Sequence, residues 1–119
     1  MTSYHRRVPR SRLVSLWLPV AAWAALIFAL SSVPSLDSGL SWDTLLRKVA
    51  HVTEYAILGA LLLRALRRPV PAWLAGVAYA ASDELHQHFV SGRHGSAVDV
   101  ALDAAGVLLG VVVYRQLRT

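Results

Sequence analysis

Four apolar stretches alternate with short polar breaks along the chain. The first, residues 13–33 ("LVSLWLPVAAWAALIFALSSV"), runs 21 residues without a charge. A helix of about 20 residues rises roughly 30 Å, the depth of a bilayer's hydrocarbon core. Pro19 falls inside it, which a membrane helix tolerates better than a soluble one. The other stretches are less uniform. Residues 49–66 carry His51, Glu54 and Arg64; residues 70–90 are apolar to Ala81 and polar afterwards; residues 97–114 carry Asp99 and Asp103. Breakers separate them: "VPSLDSGLS" (33–41), "RRPVP" (67–71) and "SGRHGS" (91–96). The pattern predicts an all-α integral membrane bundle of four transmembrane helices, at about 13–33, 49–66, 70–90 and 97–114. A basic tail at 1–12 precedes them, and 1–119 reads as one domain without internal repeats.

Composition agrees with the pattern. Hydrophobic residues make up 55% and charged residues 16%, against about 25% charged in soluble domains, and the mean hydropathy is +0.47. With no cysteines, disulfides and thiolate metal sites are excluded. A net charge of +5 would suit nucleic acid, but the cations sit in short clusters beside apolar runs. They read as topology signals, and no nucleic-acid partner is expected. If all four helices span, Arg6, Arg7, Arg10, Arg12, Arg64, Arg67, Arg68, Arg115 and Arg118 share one side, and only Arg47, Lys48 and Arg93 the other. The positive-inside rule then places both termini in the cytoplasm, N-in/C-in. The alternative is a cleaved signal over 1–31 with small residues near "ALSS", but its apolar run exceeds the roughly 7–15 residues of such signals.

That orientation puts the polar residues at one depth. His51 and Glu54 fall in the outer half of the second helix. Asp83, Glu84, His86, Gln87 and His88 fall in the outer half of the third. Asp99 and Asp103 fall in the first turns of the fourth. A charge at a membrane helix centre costs about 2.5–3.5 kcal/mol on insertion scales, tolerable if these groups face one another across a hydrated pocket. At about 100° per residue, Asp99, Asp103, Gly106 and Gly110 form one narrow stripe. A G-x-x-x-G pair admits a close neighbouring helix, so the aspartates point into the bundle. Arg47, His51, Tyr55 and Leu58 share a face of the second helix, with Glu54 one step round. Asp83, His86, Gln87 and Val90 share a face of the third, while Glu84 and His88 form a second pair.

Histidines beside carboxylates at this depth suit general acid/base or nucleophilic chemistry. The same residues also read as a hydrogen-bond network tying three helices. Arg93 and Lys48, at the outer mouth, suit phosphate binding or simple attraction to anionic headgroups. Asp83, His86, His51, Glu54, Asp99 and Asp103 could together supply ligands for a divalent metal. However, the sequence has no H-E-x-x-H and no paired E-x-x-H. The arginine clusters at 6–12 and 64–68 read as interfacial anchors. Trp17, Trp23, Trp42 and Trp73 need no function, with Trp42 and Trp73 near interfaces.

Two stretches, "RKVAHVTEYAILGALL" (47–62) and "SDELHQHFVSGRHGSAVDVALDAAGVLLG" (82–110), resemble the VanZ-like family of bacterial membrane proteins. The second is the more specific, in its order of Asp-Glu, His-Gln, Phe-Val, Gly-Arg, Asp-Val and the glycine pair. The first matches through Lys48, His51, Glu54 and Tyr55, and "SSVPS" (31–35) is a weaker echo. Arg47, Val52 and Asp103 stand where the family often has Asp, Phe and Asn. The resemblance implies a multi-pass protein of the bacterial cytoplasmic membrane, in a family associated with glycopeptide (teicoplanin) resistance.

It also implies chemistry near the headgroups of lipids or lipid-linked cell-envelope precursors. The leading expectation is a membrane-embedded hydrolase or transferase acting on such a headgroup. His51, Glu54, Asp83, Glu84, His86, Gln87, Asp99 and Asp103 form its catalytic set, and Lys48, Tyr55 and Arg93 bind substrate. The alternative is a non-catalytic accessory or binding protein of the envelope. A four-helix transporter without a repeat fits less well.

Overall fold

The computed structural model describes residues 9–31, 41–90 and 97–118. They form four helices, α1 (Arg10–Ser31), α2 (Ser41–Leu66), α3 (Pro69–Val90) and α4 (Ala97–Arg118), and there is no strand among the described residues. The fold is all-α, with the expected elements in order. Three ends move. α1 begins at Arg10 because the Pro9 carbonyl accepts the backbone N–H groups of Arg12 and Leu13 at 2.9 and 3.0 Å. α2 begins at Ser41 rather than 49; the stretch before Val49 holds Leu45, Leu46, Arg47 and Lys48, all strong helix formers. α4 runs on to Arg118, its last turn carrying Arg115 and Arg118 at the negative end of the helix dipole.

Three helices are long and apolar enough to cross a membrane, over Arg10–Leu30, Leu45–Leu66 and Asp99–Arg118. α3 is not one of them. Its 22 residues reach about 33 Å, but the polar run 82–88 lowers its hydropathy. Large apolar side chains cover the outside of all four helices, among them Leu18, Ile57, Phe89 and Leu117. In water such a surface would drive association; hydrocarbon chains are as apolar as leucine and solvate it without penalty.

Glycines set the packing. α2 and α4 make the closest pairing in the bundle. A Cβ on Gly106 would meet the Val52 carbonyl oxygen at 2.8 Å, and one on Gly110 would collide with the backbone of Ala56. These two contacts advance together along both helices, so α2 and α4 run parallel. Between them in sequence, α3 turns back after only Arg67 and Arg68. Arg67 takes the left-handed conformation (φ 64°), and its N–H closes α2 onto the Leu63 carbonyl at 2.7 Å. Glycine usually occupies this capping position, because Cβ makes left-handed backbone costly. Pro69 then opens α3, where a missing N–H does no harm. Tyr55, Leu58, Leu62, Ala72, Ala80, Val107 and Val111 fill the centre, with Val20 and Ile27 of α1 against them.

α1 is held by polar ties to the other helices. Pro19 has no N–H to offer the carbonyl four residues back, that of Ser15. Arg64 of α2 donates to that oxygen at 3.0 Å. Higher up, Trp23 Nε1 donates to the Glu54 carbonyl at 2.8 Å, and the Tyr79 hydroxyl of α3 donates to the Ala24 carbonyl. Trp73 is not an interfacial residue only: its Nε1 donates to the Ala104 carbonyl at 3.1 Å, joining α3 to α4.

Candidate functional site

The polar groups of α2, α3 and α4 meet around Tyr55. That residue is fully buried, because Gly106 lets α4 close over α2 beside it: a Cβ there would lie 3.3 Å from Tyr55 Cβ. The Tyr55 hydroxyl donates to Asp83 Oδ2 at 3.1 Å. Asp83 and Asp103 are each 3% exposed, and Glu84 is 8% exposed. Both neighbouring positions on α3 are covered because that helix packs on α1, α2 and α4. Asp103 interacts electrostatically with Glu84, Asp83, Asp99 and Glu54, so acids from three helices lie close together.

His51 stands one turn before Tyr55. Its Nδ1 is 3.7 Å from Glu54 Oε2, and its ring stacks on Tyr55 with centroids 6.5 Å apart. That Nδ1 is buried and has no hydrogen-bond partner among the described residues, so a small shift of Glu54 would complete the pair. Tyr79 also packs against Tyr55, ring centroids 6.1 Å apart. His86 lies against Phe28 of α1, ring centroids 4.4 Å apart, so α1 covers the α3 side of the cluster. Asp99 is half-buried at the start of α4, and Lys48 is exposed one turn before His51. Arg93 lies outside the described residues, as does the side chain of Gln87. Among the described residues, no group of three or more histidines and acids is arranged to hold a metal ion.

The comparison with known families matches residues 2–118 to the family described as VanZ/LLP1. The chain belongs to the VanZ/LLP1 family. No curated protein and no solved structure matches it. The VanZ/LLP1 match takes in all four helices, including α1, where sequence resemblance was weakest. With three helices able to cross a membrane, it marks the chain as a membrane protein.

Two participants were not legible in the VanZ/LLP1 chain's motifs. Tyr79 reaches the site because it lies one turn before Asp83, and that spacing was a usable signal. Phe28 comes from a helix without a single charged residue after Arg12, and nothing in the sequence ties it to His86.

Proposed function

We propose that this protein acts on the polar headgroup of a lipid or a lipid-linked cell-envelope precursor. In this reading it crosses the bacterial cytoplasmic membrane four times, with both termini inside. The observation that carries the proposal is the meeting of buried acids from α3 and α4 with the half-buried Glu54 of α2, around Tyr55 and Asp83. Ionisable groups at membrane depth are expensive, and where they persist they mark substrate or proton paths. His51 is the acid/base, oriented by Glu54 at 3.7 Å. Asp83, held by Tyr55, accepts hydrogen bonds from headgroup hydroxyl or amine groups, and Glu84, Asp99 and Asp103 complete the polar wall. Arg93 and Lys48 hold phosphate at the mouth. Nine of twelve basic residues lie on the inner side in this topology. It also makes α3 a span whose carboxylates are shielded by its neighbours.

A second reading is a non-catalytic accessory protein. It is favoured by the same geometry, since the Tyr55–Asp83 bond and the Phe28–His86 contact also serve as plain ties between helices. The two separate in one experiment. The full chain in bilayers is incubated with phospholipids and lipid-linked precursors, and headgroups are followed by mass spectrometry. Turnover that disappears in His51→Ala and Asp83→Asn supports the enzyme; unchanged headgroups with retained binding support the accessory role. A reporter fused after Arg118 tests the topology, and an external signal refutes it.

A further inference from the structure

From His51 to Arg64, α2 descends about 20 Å to a second polar region, made of opposite charge. A cavity of about 620 Å³ opens there between the start of α1, the end of α2, the link to α3 and the end of α4. Five arginines line it, Arg12, Arg64, Arg67, Arg115 and Arg118, and none of its lining residues among those described is acidic. Five cations around one cavity repel one another unless an anion sits between them. Two are partly engaged. Arg64 gives one N–H to the Ser15 carbonyl, and Arg118 lies 5.8 Å from the Tyr114 ring centre. A guanidinium has five N–H donors, so most of the fork remains available on each.

A second observation is independent of the count of charges. Arg67 holds the left-handed backbone at the α2 terminus, where glycine would relieve the strain. Strain that persists beside a cavity points to use of the side chain rather than to folding.

We propose that this cavity binds a phosphate-bearing anion, held bidentately by the guanidinium forks. The volume falls within the roughly 300–1,000 Å³ of small-molecule sites, with room for more than one phosphate group. Leu16, Leu63 and Pro69 add an apolar wall suited to a glycerol backbone. An acidic phospholipid with two phosphates, such as a diphosphatidylglycerol, meets all of these features; basic pockets between membrane helices take such headgroups. The site does not involve the acid cluster and stands apart from the headgroup chemistry proposed there.

The test uses the full chain in detergent micelles and native mass spectrometry. Wild type is offered diphosphatidylglycerol, zwitterionic phosphatidylcholine and, in a separate arm, inorganic pyrophosphate. The expected result is retention of diphosphatidylglycerol over phosphatidylcholine, with each lost arginine lowering retention about fivefold. Arg67→Gly is the discriminating variant, because it should melt no lower than wild type while binding more weakly. The double variant Arg115→Gln, Arg118→Gln should lower retention about 25-fold. Pyrophosphate binding with the same arginine dependence supports the site and names a free phosphate as its source. Equal retention of phosphatidylcholine, or retention unchanged in both folded variants, overturns the proposal.

Discussion

Replacing Gly106 by alanine tests the α2–α4 crossing and the candidate site together. The new Cβ would sit 2.8 Å from the Val52 carbonyl oxygen, 3.2 Å from Val52 Cα and 3.3 Å from Tyr55 Cβ. Ordinary contact begins near 3.4 Å, so α2 and α4 must part by about 0.6 Å. Two of the three obstacles are backbone atoms of a helix and cannot rotate away. Overpacking of this kind costs about 1–3 kcal/mol, set against a gain of about 0.5–1 kcal/mol from alanine's helix propensity. The net expectation is a loss of about 1–2 kcal/mol, although the intrinsic effect of the substitution has the opposite sign. Unfolding of the purified protein in mixed micelles, titrated with denaturing detergent, measures it. Ala105→Leu is the control, since residue 105 is exposed and should move stability by no more than about 0.5 kcal/mol. A Gly106→Ala protein as stable as wild type, or a control that loses as much, would refute the close crossing.

Two further outcomes follow from the hydrogen bonds. Tyr55→Phe removes the donor to Asp83 Oδ2 inside the bundle and should cost about 1–3 kcal/mol, read as a lower melting temperature in micelles; an unchanged melt would mean the bond carries no weight. Pro19→Ala restores an in-helix donor to the Ser15 carbonyl, so Arg64→Met should cost less in that background than in wild type. A double-mutant cycle on melting free energies should give a coupling of about 0.5–3 kcal/mol, and strict additivity would break the assigned link between proline and arginine.

The helices were legible because their apolar runs are longer than a soluble core needs, and Gly-, Pro- and Ser-rich breaks punctuate them. The start of α2 was not: the apolar run begins only at Val49, and although Arg47 already shared a face with His51 and Tyr55, the helix propensity of Leu45 to Lys48 was needed to carry the helix back towards Ser41. Of the stripe Asp99, Asp103, Gly106 and Gly110, read as inward-facing, the last three are buried and Asp99, at the start of α4, is half-buried. Angular reasoning separated Asp83 from Glu84, yet both are buried, because a helix wheel does not say how many neighbours a helix has. The Arg64–Ser15 tie was out of reach for a different reason. A proline predicts an orphaned carbonyl, but only three-dimensional packing brings residue 64 beside residue 15.

The parallel clasp of α2 and α4 has a consequence for how the chain is made. These two helices are separated by the whole of α3, so their glycine contact forms only after α4 has left the ribosome. Until then Asp83 and Glu84 lack the shelter of Asp103's helix, and α3 is the segment least able to partition into lipid unaided. Synthesis halted before Ala97 should therefore yield a product recognised by membrane quality control and degraded, while synthesis through Arg118 rescues the helix that precedes α4.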